Sequence, residues 1–294
     1  MTGPRRRPVA PAVSVAIPTR NAGEQLAGVL SAVRAQEVEV QVDVVVIDSG
    51  STDGSAELAR DHGARVEVIA PESFSHGGTR NRLMEASRGE HVAFLTQDAE
   101  PASPRWLAEL LAGFASAPDV ALVTGPYLPR PGAPPMVRRE LEEWFARMPP
   151  VVRRPGGRPD PGPDGYFSSA NGAVARWAWE QVPFREVPYA EDRLLAADML
   201  ARGWARAYRP GAAVLHSHAY GPLELVRRAF DEGRALREIY DHVAPADPRV
   251  VLPEVARRAR DDARWVHERR PNGAHAALWA VRAALHHALR AAGG

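Results

Sequence analysis

Apolar and polar positions alternate along the first 125 residues in a way that predicts strands and helices in turn. A short apolar run at 13–18 suits a buried strand. Asn21 and Glu24 then stand at capping-box spacing, ahead of apolar positions at helical spacing. Val42–Asp48 (VDVVVID) is the strongest strand signal, because a continuous β-branched run fits a parallel strand that is buried on both faces. Further strands are predicted at 65–70, 91–96 and 120–124, and helices at 51–62, 79–87 and 104–115.

This alternation predicts an α/β fold, with a mostly parallel, Rossmann-like sheet that carries helices on both faces. In such sheets ligands bind outside the carboxyl ends of the strands. Polar clusters follow three of the predicted strands, at 19–21, at Asp48 and at 97–98. The fingerprint G-x-G-x-x-G is missing after the first strand, which disfavours a nicotinamide or flavin dehydrogenase.

The later part of the chain has a different composition. Residues 129–165 are rich in Pro, Gly and Arg around a short helix at 140–148, and 149–165 is predicted to be a mobile loop beside the site. A second structured segment covers 166–220, and the chain from Pro222 onward is predicted to be mostly helical. We therefore expect a flexible tail at 1–11, a main domain at 12–220 and a helical extension at 221–294. The last predicted helix, 274–289, carries three histidines that we interpret as a partly exposed surface rather than a metal site: His275, His286 and His287.

Composition narrows the classes of function. A chain of 294 residues can bury a substantial core, and its net charge of +1 argues against a dedicated nucleic-acid binder. The absence of cysteine excludes disulfides and thiolate metal sites. Neither a signal peptide nor an apolar run of membrane-spanning length is present, so a cytoplasmic protein is the simplest interpretation. The patch at 5–7 (Arg-Arg-Arg) is interpreted as a solvated tail, and peripheral contact with anionic lipid at the inner membrane face stays open.

Two polar clusters suit a nucleotide ligand. Asp48 ends a strong strand and can accept hydrogen bonds from a nucleobase or a ribose hydroxyl, although the same residue types make a plain turn. Residues 74–81 (FSHGGTRN) combine a Gly pair, a helix N-terminus and Arg80. Helix N-termini and Arg side chains both suit a diphosphate, and a Gly-hinged loop with an incidental Arg is the alternative.

Two further clusters suit a metal and a general base. Asp98 follows an apolar strand and is placed to hold a phosphate-bound divalent cation or to cap the next helix. Glu191 and Asp192 are adjacent, so they cannot face one direction and should have different roles, one of them as a general base. His216 and His218 would share a face on a strand and could complete a metal site or be structural.

The order of the motifs resembles family 2 glycosyltransferases. IPTRN, VVVIDSGSTDGS, HGGTRN, FLTQDAEP, SSANGA, YAEDRLLA and VLHSH follow one another over roughly residues 12–220. SFSHGGTRN and TQDA most resemble bacterial rhamnosyltransferases that use a deoxythymidine-diphosphate sugar. The resemblance implies a GT-A fold over 12–220, an inverting transfer from a nucleotide sugar, and a Mg²⁺ or Mn²⁺ ion.

The resemblance also implies roles for individual residues. Asp192 matches the catalytic base, with Glu191 as its neighbour near the acceptor. Asp98 occupies the last position of the metal-binding D-x-D motif, and His216 or His218 completes the coordination of the metal. Asn171 and Gly172 correspond to the acceptor side. Donor-binding positions are Pro18, Thr19, Arg20, Asp48, His76, Arg80 and Gln97.

The chain departs from the family pattern at two positions. Thr96 replaces the first Asp of D-x-D, and Ser49 stands where many relatives carry a second Asp. The expected donor is dTDP-L-rhamnose, with Phe74 as a candidate wall for the 6-methyl group or a core anchor for its loop. The acceptor stays open between a glycan, a lipid-linked sugar and a small natural product, and no oligomeric state is indicated. The alternatives are a non-catalytic nucleotide-sugar binding module and a sugar nucleotidyltransferase.

Overall fold

A computed structural model describes residues 13–156, 160–243, 245, 247–269 and 276–293. The predicted tail at 1–11, with its arginine patch at 5–7, and His275 lie outside these residues. Eleven strands are described. They are β1 (Val13–Thr19), β2 (Val42–Asp48), β3 (Arg65–Val68), β4 (His91–Leu95), β5 (Glu100–Pro101), β6 (Val120–Thr124), β7 (Tyr127–Leu128), β8 (Val151–Arg153), β9 (Asn171–Ala175), β10 (Ala205–Tyr208) and β11 (Val214–Leu215).

An eight-stranded sheet organises the fold, in the order β3-β2-β1-β4-β9-β6-β10-β8. Strand β9 is antiparallel to both of its neighbours and β8 is antiparallel to β10, whereas the other neighbouring pairs are parallel. The β1–β2 register places Thr19 beside Asp48, so the polar residues that end these strands meet at one edge. A small second sheet has the order β5-β11-β7.

Helices cover both faces of the main sheet. They are α1 (Gly23–Arg34), α2 (Ser55–Asp61), α3 (His76–Ala86), α4 (Trp106–Phe114), α5 (Pro135–Ala146), α6 (Arg176–Trp179), α7 (Glu191–Ala201), α8 (Pro222–Tyr240), α9 (Pro248–Arg269) and α10 (Ala276–Gly293). Single 3₁₀ turns occur at Pro71–Ser73 and Pro163–Gly165.

Two layers of core follow from the alternation of side chains along the strands. Val15 and Ile17 of β1 pack in one cluster with residues of α1 and α4. Ala16, between them, belongs to the opposite cluster, which contains residues of α3 and α7. Successive side chains of a strand point to opposite faces, so a fully apolar strand feeds both layers. The predicted α/β fold with a mostly parallel sheet is confirmed.

Two local predictions are wrong in the first half of the chain. The capping box is not formed: α1 follows Ala22, with no side-chain cap, and Asn21 takes a positive φ of 47°. Asn21 instead accepts a hydrogen bond from the Thr52 amide (2.9 Å), which ties together the turns after β1 and β2. Helix α3 begins three residues before the predicted start, because the Ser75 hydroxyl accepts a hydrogen bond from the Gly78 amide (3.1 Å) and caps the helix.

The predicted loop at 149–165 is partly ordered structure. Val151–Arg153 forms β8, and its backbone pairs with β10 at the edge of the main sheet. The turn at Pro163–Gly165 is bonded to β10, because the Arg206 side chain donates to the carbonyls of Pro163 (2.6 Å) and Asp164 (3.1 Å). The mobile-loop prediction is therefore wrong for these two segments, and residues 157–159 lie outside the described structure.

The C-terminal helices pack on one another and on the rest of the chain. Helix α10 contacts α8 and α9, and α9 contacts α5. The His287 side chain is 2% exposed and bonds to Asp262, so the prediction of a partly exposed surface is wrong for this histidine. In the described part of the chain, no helix has the length and apolar character needed to cross a bilayer.

Candidate active site

A cavity of about 690 Å³ opens at the carboxyl ends of β1 and β4. This is the edge at which parallel sheets bind ligands. Most of the site residues predicted from the sequence line it, and three do not: Asp48, Asn171 and Gly172. Those on the wall are Pro18, Thr19, Arg20, His76, Arg80, Gln97, Asp98, Glu191, Asp192, His216 and His218.

Gln97 joins the two strand ends that form the floor. Its side-chain Oε1 accepts hydrogen bonds from the Thr19 hydroxyl (3.1 Å) and from the Arg20 amide (2.8 Å). The segment after β1 is thereby held against the segment after β4. Thr96, which replaces the first Asp of D-x-D, also lines the cavity, and its buried hydroxyl oxygen has no hydrogen-bond partner among the described residues.

The small sheet brings Asp98 together with His216 and His218. Strand β11 pairs with β5, which follows Asp98, so the two histidines just beyond β11 reach this carboxylate. Asp98 Oδ1 lies 3.7 Å from His216 Nδ1, and Asp98 Oδ2 lies 3.6 Å from His218 Nε2. Both distances exceed that of a hydrogen bond. One ligand atom from each of the three residues lies within 4.8 Å of the others, which is an arrangement that could hold a metal ion.

Both histidines of this cluster favour the neutral form. Burial lowers the pKa of His216 to about 4, although the neighbouring Asp98 acts in the opposite direction. Burial also lowers the pKa of His218. His216 Nδ1 is buried and has no hydrogen-bond partner in the described structure. A neutral imidazole nitrogen with a free lone pair is the form that ligates metals.

The adjacent carboxylates Glu191 and Asp192 have separate environments. Glu191 is buried at the start of α7, and its Oε1 lies 3.0 Å from Arg80 Nη1. Burial, with a further contribution from Asp192, raises the pKa of Glu191 to about 7, and this outweighs the opposing effect of Arg80. Arg80 also donates to the Ser169 hydroxyl (2.6 Å) and the His76 carbonyl (3.0 Å).

Asp192 faces the cavity, and among the described residues no arginine side chain donates a hydrogen bond to its carboxylate. Its Oδ2 accepts from the Ser169 amide (3.0 Å), and its Oδ1 accepts from the Arg193 amide (2.8 Å). The two backbone contacts fix the orientation of the carboxylate. Of the two carboxylates on the cavity, Glu191 is therefore paired with the Arg80 guanidinium, whereas Asp192 is held by backbone amides.

The HGG motif has a packing role as well as a place beside the cavity. A Cβ on Gly77 would lie 2.0 Å from the Arg185 carbonyl oxygen, so this glycine allows a close backbone approach. Ser75 caps the helix, which leaves the His76 side chain on the cavity wall. Phe74 lines the cavity, and its ring meets the His76 ring edge-on with 5.1 Å between the ring centroids. Because Phe74 is 38% exposed, it is not a core anchor for its loop.

Asp48 lies below the cavity rather than on its wall. The side chain has no exposed surface, and Oδ1 accepts a hydrogen bond from the Ser51 amide (2.7 Å). Oδ2 has no hydrogen-bond partner among the described residues. Ser49, the next residue, reaches the cavity.

The assignment of Asn171 and Gly172 to the acceptor side is corrected by their surroundings. Asn171 is fully buried: its Oδ1 accepts from Trp106 Nε1 (2.8 Å), and its Nδ2 donates to the carbonyls of Pro126 (3.1 Å) and Ala212 (2.8 Å). A Cβ on Gly172 would lie 2.5 Å from the Phe167 ring. The pair holds the core together and has no free group for a ligand.

Several residues of the cavity wall were not predicted as site residues from the sequence. Tyr127 donates to the Ser168 hydroxyl (2.6 Å), and burial raises its pKa well above the usual value. Arg193 packs its guanidinium over the Tyr166 ring at 5.2 Å. Tyr189 and Arg228 lie on the same wall. Ser168 belongs to the motif SSANGA, and Tyr189 and Arg193 belong to YAEDRLLA, whereas Tyr127, Tyr166 and Arg228 lie outside the quoted motifs.

Known structures share this fold. A mannosyltransferase from Pyrobaculum calidifontis, in complex with GDP-Man and Mn²⁺, superposes with a TM-score of 0.61 at 19% identity, covering 94% of this chain and 74% of that one. Glucosyl-3-phosphoglycerate synthase from Mycobacterium tuberculosis, in complex with Mn²⁺ and UDP-glucose, gives a TM-score of 0.53 at 21% identity, covering 80% and 81%. At these identities the likeness shows the fold.

Two rhamnosyltransferases are more similar to this chain in sequence than these solved structures are. WbaN of Salmonella anatum, an O-antigen chain rhamnosyltransferase, is 31% identical over 232 residues, which cover 76% of this chain and 71% of WbaN. RfbN of Salmonella typhimurium, of the same description, is 34% identical over 226 residues, which cover 75% and 71%. The sequence profile of glycosyl transferase family 2 matches residues 14–170. The chain therefore belongs to glycosyl transferase family 2 and is a sugar-transferring enzyme with the GT-A fold.

Proposed function

We propose that the protein transfers L-rhamnose, or another deoxysugar, from a nucleoside diphosphate to a hydroxyl of a glycan acceptor, with inversion at the anomeric carbon. The observation that carries this proposal is the meeting of two clusters on one cavity. Asp98, His216 and His218 line it together with Glu191 and Asp192. Asp98 and the two histidines suit the diphosphate of a donor, and the two adjacent carboxylates suit an attacking hydroxyl. The rhamnosyltransferase relatives support the choice of sugar.

Asp98, His216 and His218 fit a divalent cation, Mg²⁺ or Mn²⁺. The fit rests on one carboxylate, two imidazoles and the unpartnered His216 Nδ1. A divalent cation held there would offset negative charge on the leaving diphosphate. Because Thr96 replaces the first Asp of D-x-D, we expect the two histidines to supply ligands that a second carboxylate would otherwise provide. Nitrogen ligands suit Mn²⁺ better than Mg²⁺.

Donor binding uses the floor and the α3 side of the cavity. The pair of turns that Gln97 joins, with Thr19 and Arg20, would hold the nucleoside. The Arg80 guanidinium, fixed by Glu191 and Ser169, supplies positive charge at the start of α3, where backbone dipoles also favour a phosphate. Phe74 would face the 6-methyl group of the sugar, and His76 would bond a ring hydroxyl.

Asp192 acts as the general base in this proposal. Its carboxylate, oriented by the Ser169 and Arg193 amides, takes the proton of the acceptor hydroxyl. The acceptor oxygen forms a bond to the anomeric carbon as the bond from that carbon to the diphosphate oxygen breaks. Attack from the opposite face inverts the configuration. Glu191 does not take part in proton transfer, because it is buried against Arg80 and holds the diphosphate-binding arginine in place.

A comparison of donors tests the sugar and the nucleotide. We expect kcat/KM to be higher for dTDP-L-rhamnose than for UDP-glucose or GDP-mannose with a common glycan acceptor. Discrimination against a sugar with an added 6-hydroxyl should be modest, because apolar pockets reject an extra hydroxyl by only about 10²-fold. A preference for UDP-glucose or GDP-mannose would refute the rhamnosyl donor and leave the family unchanged. Donor binding without any turnover would instead favour a non-catalytic binding module.

A further inference from the structure

A second cluster of metal-ligating side chains lies between α5 and α10, separate from Asp98. Glu140 stands on α5, and His286 and His287 are adjacent on α10. Glu140 Oε2 lies 4.0 Å from His286 Nε2, and Glu140 Oε1 lies 3.9 Å from His287 Nδ1. One ligand atom from each residue lies within 4.8 Å of the other two. These separations are too long for hydrogen bonds, and small side-chain rotations would bring the three atoms onto one ion.

His286 has a buried ring nitrogen that is available to a ligand. His286 Nε2 is buried and has no hydrogen-bond partner among the described residues. Buried polar atoms are normally paired, so an unpaired ring nitrogen that faces a carboxylate calls for a ligand.

The Asp262 carboxylate bonds to the ring nitrogen of His287 that is not directed at Glu140. Its Nε2 lies 2.6 Å from Asp262 Oδ2, and Asp262 Oδ1 accepts from Arg139 Nε at 2.5 Å. The His287 side chain is 2% exposed, so this bond fixes the ring with Nδ1 toward Glu140. A histidine that ligates a metal commonly gives its other ring nitrogen to a carboxylate, which sets the tautomer and the orientation of the ring.

Arg290 is a cation that competes for the same carboxylate. Its Nη1 lies 3.1 and 3.3 Å from the two oxygens of Glu140, and its Nη2 lies 3.2 Å from Glu232. A carboxylate can accept several bonds, so Glu140 can keep this contact and still offer a lone pair to an ion. The positive charge of Arg290 should nevertheless weaken cation binding.

We propose that Glu140, His286 and His287 form a second divalent metal site, of a type that suits Zn²⁺. Two imidazoles and one carboxylate are typical zinc ligands, and the fourth position would remain open. A cavity of about 390 Å³ is lined by Glu140 and His286, and also by His216 and His218 of the candidate active site. An ion at the second site would join α10 to α5 and fix the wall that these two regions share.

Metal content of the full-length, untagged protein tests this site. After equilibrium dialysis against Zn²⁺ we expect two ions per chain in the wild type and one in His286→Gln and Glu140→Gln. The matched control is His267→Gln, at an exposed histidine of α9, which should keep two. Asp98→Asn should lose one ion from the other site, so failure of either site is distinguishable. Two ions in both His286→Gln and Glu140→Gln, or one ion in the wild type that only Asp98→Asn removes, would overturn the proposal.

Two further variants keep the proposal testable if a ligand substitution impairs folding. Arg290→Gln removes the competing cation and should tighten Zn²⁺ binding at the second site. Asp262→Asn removes the carboxylate behind His287 and should weaken it by about 10- to 100-fold. Circular dichroism in EDTA checks that each variant is folded without metal. Unchanged Zn²⁺ affinity in both folded variants would show that the cluster is an ion-pair network that binds no metal.

Discussion

Replacing Glu191 with Gln should change the pH dependence of stability in a defined direction. The side chain is 4% exposed, and its Oε1 lies 3.0 Å from Arg80 Nη1. Burial and the neighbouring Asp192 raise its pKa from 4.5 to about 7. Glutamine keeps the shape and cannot ionise, so the variant isolates the effect of the charge.

The expected magnitude follows from this pKa difference. Below pH 4.5 the carboxyl is protonated in both the folded and the unfolded chain. As the pH rises toward 7, the unfolded chain loses the proton while the folded chain retains it, so the free energy of unfolding of the wild type falls. Between pH 5 and pH 8 this loss amounts to about 2–3 kcal/mol. The Gln variant lacks this loss, so it gains stability relative to the wild type by the same amount.

Urea unfolding at pH 5, 6, 7 and 8 measures this difference. Glu57→Gln is the matched control, because the Glu57 side chain is 72% exposed and pairs with Arg60 on the surface of α2. The difference between control and wild type should stay nearly constant with pH. If Glu191→Gln instead becomes less stable relative to the wild type as the pH rises, the ion pair with Arg80 outweighs burial and the reasoning is refuted.

Three other predictions follow from single contacts. Asp98→Asn should weaken Mn²⁺-dependent binding of dTDP in calorimetric titration, whereas equal affinity and metal dependence would contradict its assignment as a ligand. Gly77→Ala should lower the free energy of unfolding by about 1–3 kcal/mol or more, because its Cβ would lie 2.0 Å from the Arg185 carbonyl oxygen; unchanged stability would contradict this close approach. Asn171→Ala should destabilise the protein by about 3 kcal/mol, through loss of the bond to Trp106 and two others. A change in the KM for the acceptor with unchanged stability would restore Asn171 to the acceptor side.

The central sheet was predictable because its strands are signalled locally. The run VDVVVID and the short apolar stretches on either side of it have the β-branched, apolar composition that is typical of buried strands. The antiparallel insertion of β9 between β4 and β6 was not predictable, because pairing partners of a short strand depend on contacts far along the chain. The same holds for β8, whose three residues lie in a Pro- and Gly-rich segment that favours a loop by composition.

Site residues were predictable where a motif stands at the end of a strand. Asp98 belongs to such a motif after β4, and Asp192 belongs to a motif at the start of α7; both line the cavity. The burial of His287 was misjudged, because an Ala-rich helix does not reveal which of its faces will be covered by α8 and α9. Asn171 was misjudged for the opposite reason: a polar residue in a motif suggests a ligand, and only the structure shows that its hydrogen bonds are all used internally.

Transfer by the Asp192→Asn variant tests the central claim most directly. The substitution keeps an oxygen that can accept from the Ser169 amide, so the site should remain folded and bind dTDP with the affinity of the wild type. Loss of the general base should lower the rate of rhamnosyl transfer by about 10²- to 10⁴-fold. Transfer at a near-normal rate by the folded variant, with unchanged dTDP affinity, would contradict the role of Asp192 as the base.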